Sequence, residues 1–306
     1  MLSSSNFESE KKLAIDAIKA LINDQKAYAA DKCHKLMFEG EMAGISTRGT
    51  ASQIEKMTLD HVSKNVKHFL ENSLVECYYI GDGDVSDVID TVEKKFASIN
   101  RKESKILQTE KPLVREKDSA LRTLDETMNV SQGRLNIGLT CGVVMSDKEY
   151  CAMVVFNEIF GGSSVSKLFM NVREKESLCY YCYSTYSSAT GTVMIGCGIK
   201  SENRKKAYAE IENQLREMQD GNFCESDVET AKRSIVSGIL QVSDNPSAIE
   251  AFKFRRFLSG VDESTDEAIK KIENVTCEDI ISAAQKVRFD SVYFLCGTGE
   301  EDEYDE

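Results

Sequence analysis

Four groups of residues in this chain have the types and spacing that invite a chemical reading. The first is the set of three histidines, His34, His61 and His68. A catalytic zinc takes about three protein ligands at defined spacing. His61 and His68 stand seven apart on one face of a predicted helix, where a polar surface explains them, and His34 lies beside Cys33 on an earlier helix. The second group is Cys179-x-x-Cys182, the spacing of a redox or zinc pair. It has no second pair, and on a regular strand residues three apart point to opposite faces. The third, Gly161-Gly-Ser-Ser-Val-Ser-Lys, has the composition of a phosphate loop without its Gly-Lys-Ser/Thr order and without a buried strand immediately before it. A helix stop accounts for it better: Gly161 at positive φ ends a helix over 150–160, and Ser164 or Ser166 caps the next. The fourth is Phe252, Phe254 and Phe257 around Arg255 and Arg256, whose helical spacing in acidic surroundings reads as core packing rather than a nucleic-acid patch.

The elements that must carry such groups follow from composition and pattern. A chain of 306 residues with 41% hydrophobic content is long enough for two domains, each with its own core. A net charge of −13 and a pI near 4.9 argue against phosphate-backbone binding, which needs Lys and Arg in excess on one face. Basic or neutral polypeptides suit this charge as partners. The longest apolar stretches, such as 135–144, fall far short of the roughly 20 residues of a membrane helix. The opening residues have neither a basic nor an apolar signal region, so a cytoplasmic protein is expected, with its ten scattered cysteines reduced.

An internal repeat organises the chain. Ile54-Glu-Lys-Met-Thr-Leu-Asp-His-Val recurs roughly 217 residues later as Ile272-Glu-Asn-Val-Thr-Cys-Glu-Asp-Ile. Each copy is followed by a short apolar strand ending in Gly, over 75–81 and 292–297, and preceded by a long helical pattern. Thr58 and Thr276 are placed to cap the helices that follow them. Ahead of the second copy lie extended residues over 121–143, helices over 147–160 and 166–178, paired strands over 180–188 and 192–199, and a helix over 202–219 closed by Gly221. The first copy owns the single strand 75–80, which alone satisfies neither its backbone nor its apolar face. The organisation expected is therefore residues 1–100 as the C-terminal part of a first α+β copy, truncated at its start. A polar linker over 101–120, a complete second copy over 121–299 and an acidic tail over 300–306 follow.

The most informative run is Phe160-Gly-Gly-Ser-Ser-Val-Ser-Lys-Leu-Phe-Met-Asn-Val-Arg-Glu-Lys-Glu-Ser-Leu-Cys-Tyr-Tyr. It resembles the insulinase, pitrilysin and mitochondrial processing peptidase family. Leu135-Asn-Ile-Gly-Leu, Val155-Phe-Asn-Glu-Ile-Phe-Gly-Gly and Tyr293-Phe-Leu-Cys-Gly-Thr look like its bacterial YmfF-like, non-peptidase branch. The resemblance spans essentially the whole chain and its motifs fall in the family's order. It implies an α+β fold of duplicated metallopeptidase-type domains, each an antiparallel-rich sheet with helices packed on one face.

In that family an Arg, six residues and a Tyr sit in the domain without zinc and reach the peptide at the zinc site, and Arg173 and Tyr180 fit the pattern. Peptide hydrolysis builds negative charge on a tetrahedral oxygen, which a guanidinium or phenol donor stabilises. The resemblance also places the loop of Gly161, Gly162, Ser163 and Ser164 near the peptide cleft. The family's zinc motif, His-x-x-Glu-His, is absent, and aligning the family's earlier helix Glu with Glu10 puts Ala17 at the distant ligand position, with Asp16 one residue away. Ala17 cannot coordinate a metal. The function implied is a non-catalytic subunit or half of an insulinase-type peptidase, binding no cofactor itself. Its partners would be a zinc-bearing homologous subunit, or a missing N-terminal segment that bears the zinc motif, and a peptide substrate, without nucleic acid or membrane. A peptide-binding or assembly module without a hydrolytic role is the third reading.

Overall fold

The computed structural model describes residues 3–102, 119–130 and 132–297. Most of the expected linker and all of the acidic tail lie outside these residues. The chain opens with α1 (Ser4–Ala20) and α2 (Gln25–Met37), and divides into two compact units: Met1–Leu21 with Ser46–Glu110, and Ile22–Ile45 with Lys111–Glu306. The single helix expected at the start is thus two helices that belong to different units.

In the first unit α1 is accompanied by α3 (Ala51–Glu55), α4 (Leu59–Asn72) and α5 (Val85–Phe96). The Thr58 hydroxyl accepts from the His61 N–H at 3.3 Å, the cap expected from the repeat. The far end of α4 is closed by Arg101, whose Nη1 donates to the Leu70 carbonyl at 2.7 Å and Nη2 to the Ser73 carbonyl at 2.6 Å. A cation there also offsets the negative end of the helix dipole. The strand expected over 75–80 does not form: among its described residues this unit has no strand, and Val75, Tyr79 and Ile80 are exposed. The physical reason is that a strand needs a neighbour to pair with.

The second unit holds one five-stranded sheet. Its strands are β1 (Arg122–Met128), β2 (Gly133–Thr140), β3 (Cys179–Ser187), β4 (Thr192–Ile199) and β5 (Arg288–Gly297), in the spatial order β1-β5-β2-β4-β3. The β5-β2, β2-β4 and β4-β3 pairs are antiparallel and β1 runs parallel to β5. Between β2 and β3 lies α6 (Tyr150–Asn157). After β4 come α7 (Arg204–Gln219), α8 (Glu225–Leu240), α9 (Pro246–Leu258), α10 (Thr265–Glu273) and α11 (Cys277–Ala284).

Alternation along β5 shows which face each helix covers. Val292 and Phe294 join the large core that includes α6, α7 and α11, whereas Tyr293 and Leu295 join Ala29 and Cys33 of α2 on the opposite face. Helices therefore pack on both faces, not on one, because α2 crosses to the second unit's sheet. With both sides covered, β2 is buried at seven of its eight residues and loses the polar alternation of a half-solvated strand. Gly138 makes room for the end of α2: a Cβ there would stand 2.8 Å from Met37 Sδ and 2.5 Å from Ser291 Oγ.

Polar groups lock α2 in place. Glu126 of β1 accepts from the Tyr28 hydroxyl at 2.7 Å and the Tyr293 hydroxyl at 2.9 Å, and pairs with Lys32 at 3.1 Å. Arg122 donates to the Met37 carbonyl at the end of α2 and to the buried Asp290 carboxylate at 2.7 Å. No described helix is long and apolar enough to cross a membrane.

Candidate functional site

The helix α6 does not stop at Gly161. It passes into a π-helical stretch, Glu158–Gly162, and a second one, Leu168–Lys175, leads to β3. Such i→i+5 windings are rare and occur often at functional positions. Gly161 is not among the glycines at positive φ, so the expected helix-stop geometry is wrong. Its role is close packing: a Cβ would stand 2.5 Å from Ser184 Oγ, 2.6 Å from Ser184 N and 2.8 Å from Leu168 Cδ1, all within contact distance. The buried Ser184 hydroxyl in turn donates to Asn157 Oδ1 at 2.8 Å, tying β3 to the end of α6. Ser166 caps the second stretch as expected, accepting from the Phe169 N–H at 3.5 Å, and donates to the Ser163 carbonyl at 2.6 Å. Asn171 donates to Gln214 Oε1 of α7 at 2.9 Å. Gly162, Ser163 and Ser164 thus form the surface turn between two anchored helical stretches.

The turn into β3 is made by Ser177, which takes a positive φ (50°), with the Leu178 N–H donating to the Val172 carbonyl at 3.1 Å. The ladder is irregular at the start of β3. Cys179 stands opposite Ile199, Tyr181 opposite Gly198 and Cys182 opposite Cys197, so two residues, Tyr180 and Tyr181, face one on β4. This is a β-bulge on an edge strand, a device that re-aims a side chain. Tyr180 is the extra residue and is 49% exposed. Arg173 is also accessible, with its guanidinium 4.5 Å from the Phe169 ring and its Nε 3.5 Å from Glu174. Among the described residues no hydrogen bond joins Arg173 to Tyr180.

The bulge also overturns the expectation that Cys179 and Cys182 face apart. Cys179, Cys182 and Cys197 all enter the same buried cluster, with Cys182 and Cys197 fully covered and Cys179 half-buried at its margin. Hydrogen bonds from Cys182 and then Cys197 hold the Cys179 thiol well below the ordinary range, against desolvation, and the Arg173 guanidinium adds to the effect. The counterpart is that hydrogen bonding with Cys179 pushes Cys182 and Cys197 well up. No group of three or more His, Cys, Asp or Glu with the disposition of a metal site exists among the described residues. The histidines are dispersed: His34 stacks 4.7 Å from Phe38, and burial lowers its pKa.

On the other face of β3, pattern reading missed an aromatic platform. The Tyr181 and Tyr183 rings lie 5.8 Å apart over Gly198 and Gly196, and Lys26 Nζ of α2 stands 4.9 and 4.4 Å from them. The tyrosines at alternate positions opposite glycines carried the signal. What no local pattern contained was that α2 would supply the cation.

Comparison with known proteins agrees with this architecture. Residues 56–235 match the model of the peptidase M16 inactive domain. A Bacillus subtilis (strain 168) protein called "Probable inactive metalloprotease YmfF" is 32% identical over 289 residues, covering 94% of this chain and 67% of the relative. Subunit 1 of the mitochondrial cytochrome b-c1 complex of Saccharomyces cerevisiae is 24% identical over 318 residues, covering 98% of this chain and 67% of that protein. The crystal structure of a conserved protein from Enterococcus faecalis V583 superposes with a TM-score of 0.88 at 24% identity, covering 98% of this chain and 70% of that one. The chain spans about two thirds of the length of each. With the fold, the inactive-domain match and the YmfF relative in accord, the chain belongs to the peptidase M16 family as a member carrying the family's inactive domain.

Proposed function

We infer that this chain is the non-catalytic half of an M16-type peptidase, walling a peptide-binding chamber and presenting Arg173 and Tyr180 to a zinc site on a partner subunit or on another segment of its own polypeptide. In this reading residues 121–299 are the inactive copy and 1–100 the remainder of the first. The single observation that carries it is the bulge, which turns Tyr180 out of an edge strand on the same short segment that leaves the Arg173 guanidinium accessible. An edge strand accepts an extended peptide through backbone hydrogen bonds. A guanidinium and a phenol beside it suit the developing oxyanion of a scissile carbonyl. Gly161, Gly162, Ser163 and Ser164 form the turn that would line the peptide's path. The zinc and the general base come from the partner, and the setting is cytoplasmic.

The test is peptide hydrolysis by a His-x-x-Glu-His-bearing homologue alone and mixed with this chain. Hydrolysis that requires the mixture is expected; equal rates with and without the chain would overturn the reading. Similarity to a subunit of the cytochrome b-c1 complex supports a second reading, an assembly role without hydrolysis. That reading predicts a stable complex with a homologue and no gain in peptide turnover.

A further inference from the structure

The bulge that exposes Tyr180 has a second effect on the chemistry of β3, independent of any peptidase role. Because the bulge puts Tyr180 and Tyr181 together opposite Gly198, Cys179 and Cys182 become successive residues on the core-facing side of the strand, opposite Ile199 and Cys197. Three thiols therefore meet at one place. Cys182 and Cys197 are sealed in the core, and Cys179 is half-buried at its margin, next to the accessible Arg173 segment. We propose that Cys179, Cys182 and Cys197 form a peroxide-responsive thiol site, in which Cys179 is oxidised and Cys182 resolves the product as an intramolecular disulfide.

The chemistry balances with hydrogen peroxide as the oxidant. The Cys179 thiolate attacks one peroxide oxygen, the O–O bond breaks, and Cys179 sulfenic acid and hydroxide form. The Cys182 sulfur then attacks the Cys179 sulfur, the S–O bond breaks, and the leaving hydroxide takes the Cys182 proton as water. One peroxide and two thiols give one disulfide and two waters. The attacking group is a thiolate with an accessible face, which is what selects a reactive cysteine. The hydrogen bonds from Cys182 and Cys197 and the nearby Arg173 charge favour that form at Cys179. Other thiols shift the opposite way: burial pushes Cys33 and Cys141 in the core, and the half-buried Cys151, up to about 11. Cys182 is the next core-facing residue of β3 after Cys179, and the two thiols share a hydrogen bond, which makes Cys182 the resolving partner along the strand. Cys197, directly across the ladder from Cys182, serves as the second hydrogen-bond donor.

The experiment uses the whole reduced chain, treated with less than one equivalent of hydrogen peroxide in neutral buffer, alkylated and mapped by mass spectrometry. A Cys179–Cys182 crosslink forming about tenfold faster than oxidation of the exposed Cys77 and Cys224 is expected. Oxidation of Cys77 or Cys224 first, or a Cys182–Cys197 disulfide with Cys179 still reduced, would overturn the proposal. In Cys182→Ser the sulfenic acid should persist and be trapped at Cys179 by dimedone. A Cys179–Cys197 disulfide in that variant would refute the assignment of Cys182 as the resolving thiol. The wild-type crosslink map needs no variant to fold, so the proposal can fail even if Cys182→Ser does not.

Discussion

Replacing Glu126 by Ala removes the carboxylate on which α2 is fastened to the sheet. Three donors lose their acceptor: the hydroxyl of the fully buried Tyr293, the Tyr28 hydroxyl and the Lys32 ammonium. An orphaned buried donor costs about 1–3 kcal/mol, whereas donors that can turn to water cost about 0.5 kcal/mol each. Tyr293 belongs to the first kind and the half-exposed Tyr28 and Lys32 to the second. The total is about 2–4 kcal/mol, which for a unit of this size lowers Tm by about 4–16 °C. The effect depends on pH with a definite sign. Desolvation alone would raise the Glu126 pKa, but hydrogen bonds from Tyr28, Tyr293 and Lys32 lower it below the ordinary carboxylate value. A carboxyl depressed in the folded state contributes stability that is present above its unfolded pKa and lost as pH falls through its folded one. Thermal unfolding followed at neutral pH and in acid buffer below the ordinary Glu pKa of about 4.3 checks this. The gap in Tm between wild type and Glu126→Ala should be largest at neutral pH and narrow on acidification. A gap that is constant down to that acid pH, or a variant as stable as wild type at neutral pH, would rule out this role for Glu126.

Two further substitutions test the packing around the candidate site and the core. Gly161→Ala places a methyl against the Ser184 backbone and Leu168 and should destabilise by about 2 kcal/mol, read from chemical denaturation; no change would mean that glycine is there for another reason. Arg256→Ala leaves the buried Glu263 carboxylate with only Lys271 at 2.8 Å, having lost contacts at 2.9 and 3.1 Å, and should cost about 3 kcal/mol in the same assay.

The sequence made the repeated elements legible because their signals are local. Thr276 caps α11 through the Asp279 N–H at 3.2 Å, as its spacing announced, and Gly221 takes the positive φ that closes α7. Strands β2, β3 and β4 could be read from period-two patterns and turn residues. Other features were illegible because they depend on partners distant in sequence. The bulge at Tyr180 is a property of pairing with Gly198, so nothing within 179–182 announces it, and regular alternation gave the wrong faces for Cys179 and Cys182. The break between α1 and α2 is equally hidden, since what redirects α2 is the sheet face of Tyr293 and Leu295. The apolar run at 75–80 has the pattern of a strand and none of the neighbours. At Gly161 the residue was rightly singled out but for the wrong cause, because crowding by Ser184 is invisible until β3 is placed.

Arg173 carries the proposed assistance to the partner's zinc site. In a reconstituted mixture of this chain with a zinc-bearing homologue, the decisive measurement is kcat and KM for peptide hydrolysis with wild type and with Arg173→Ala. Loss of one oxyanion donor corresponds to about 10²–10³ in kcat, and a fall of that order with KM little changed is predicted. Equal kcat for the two proteins would contradict the claim and leave Arg173 as a surface residue beside Phe169 and Glu174.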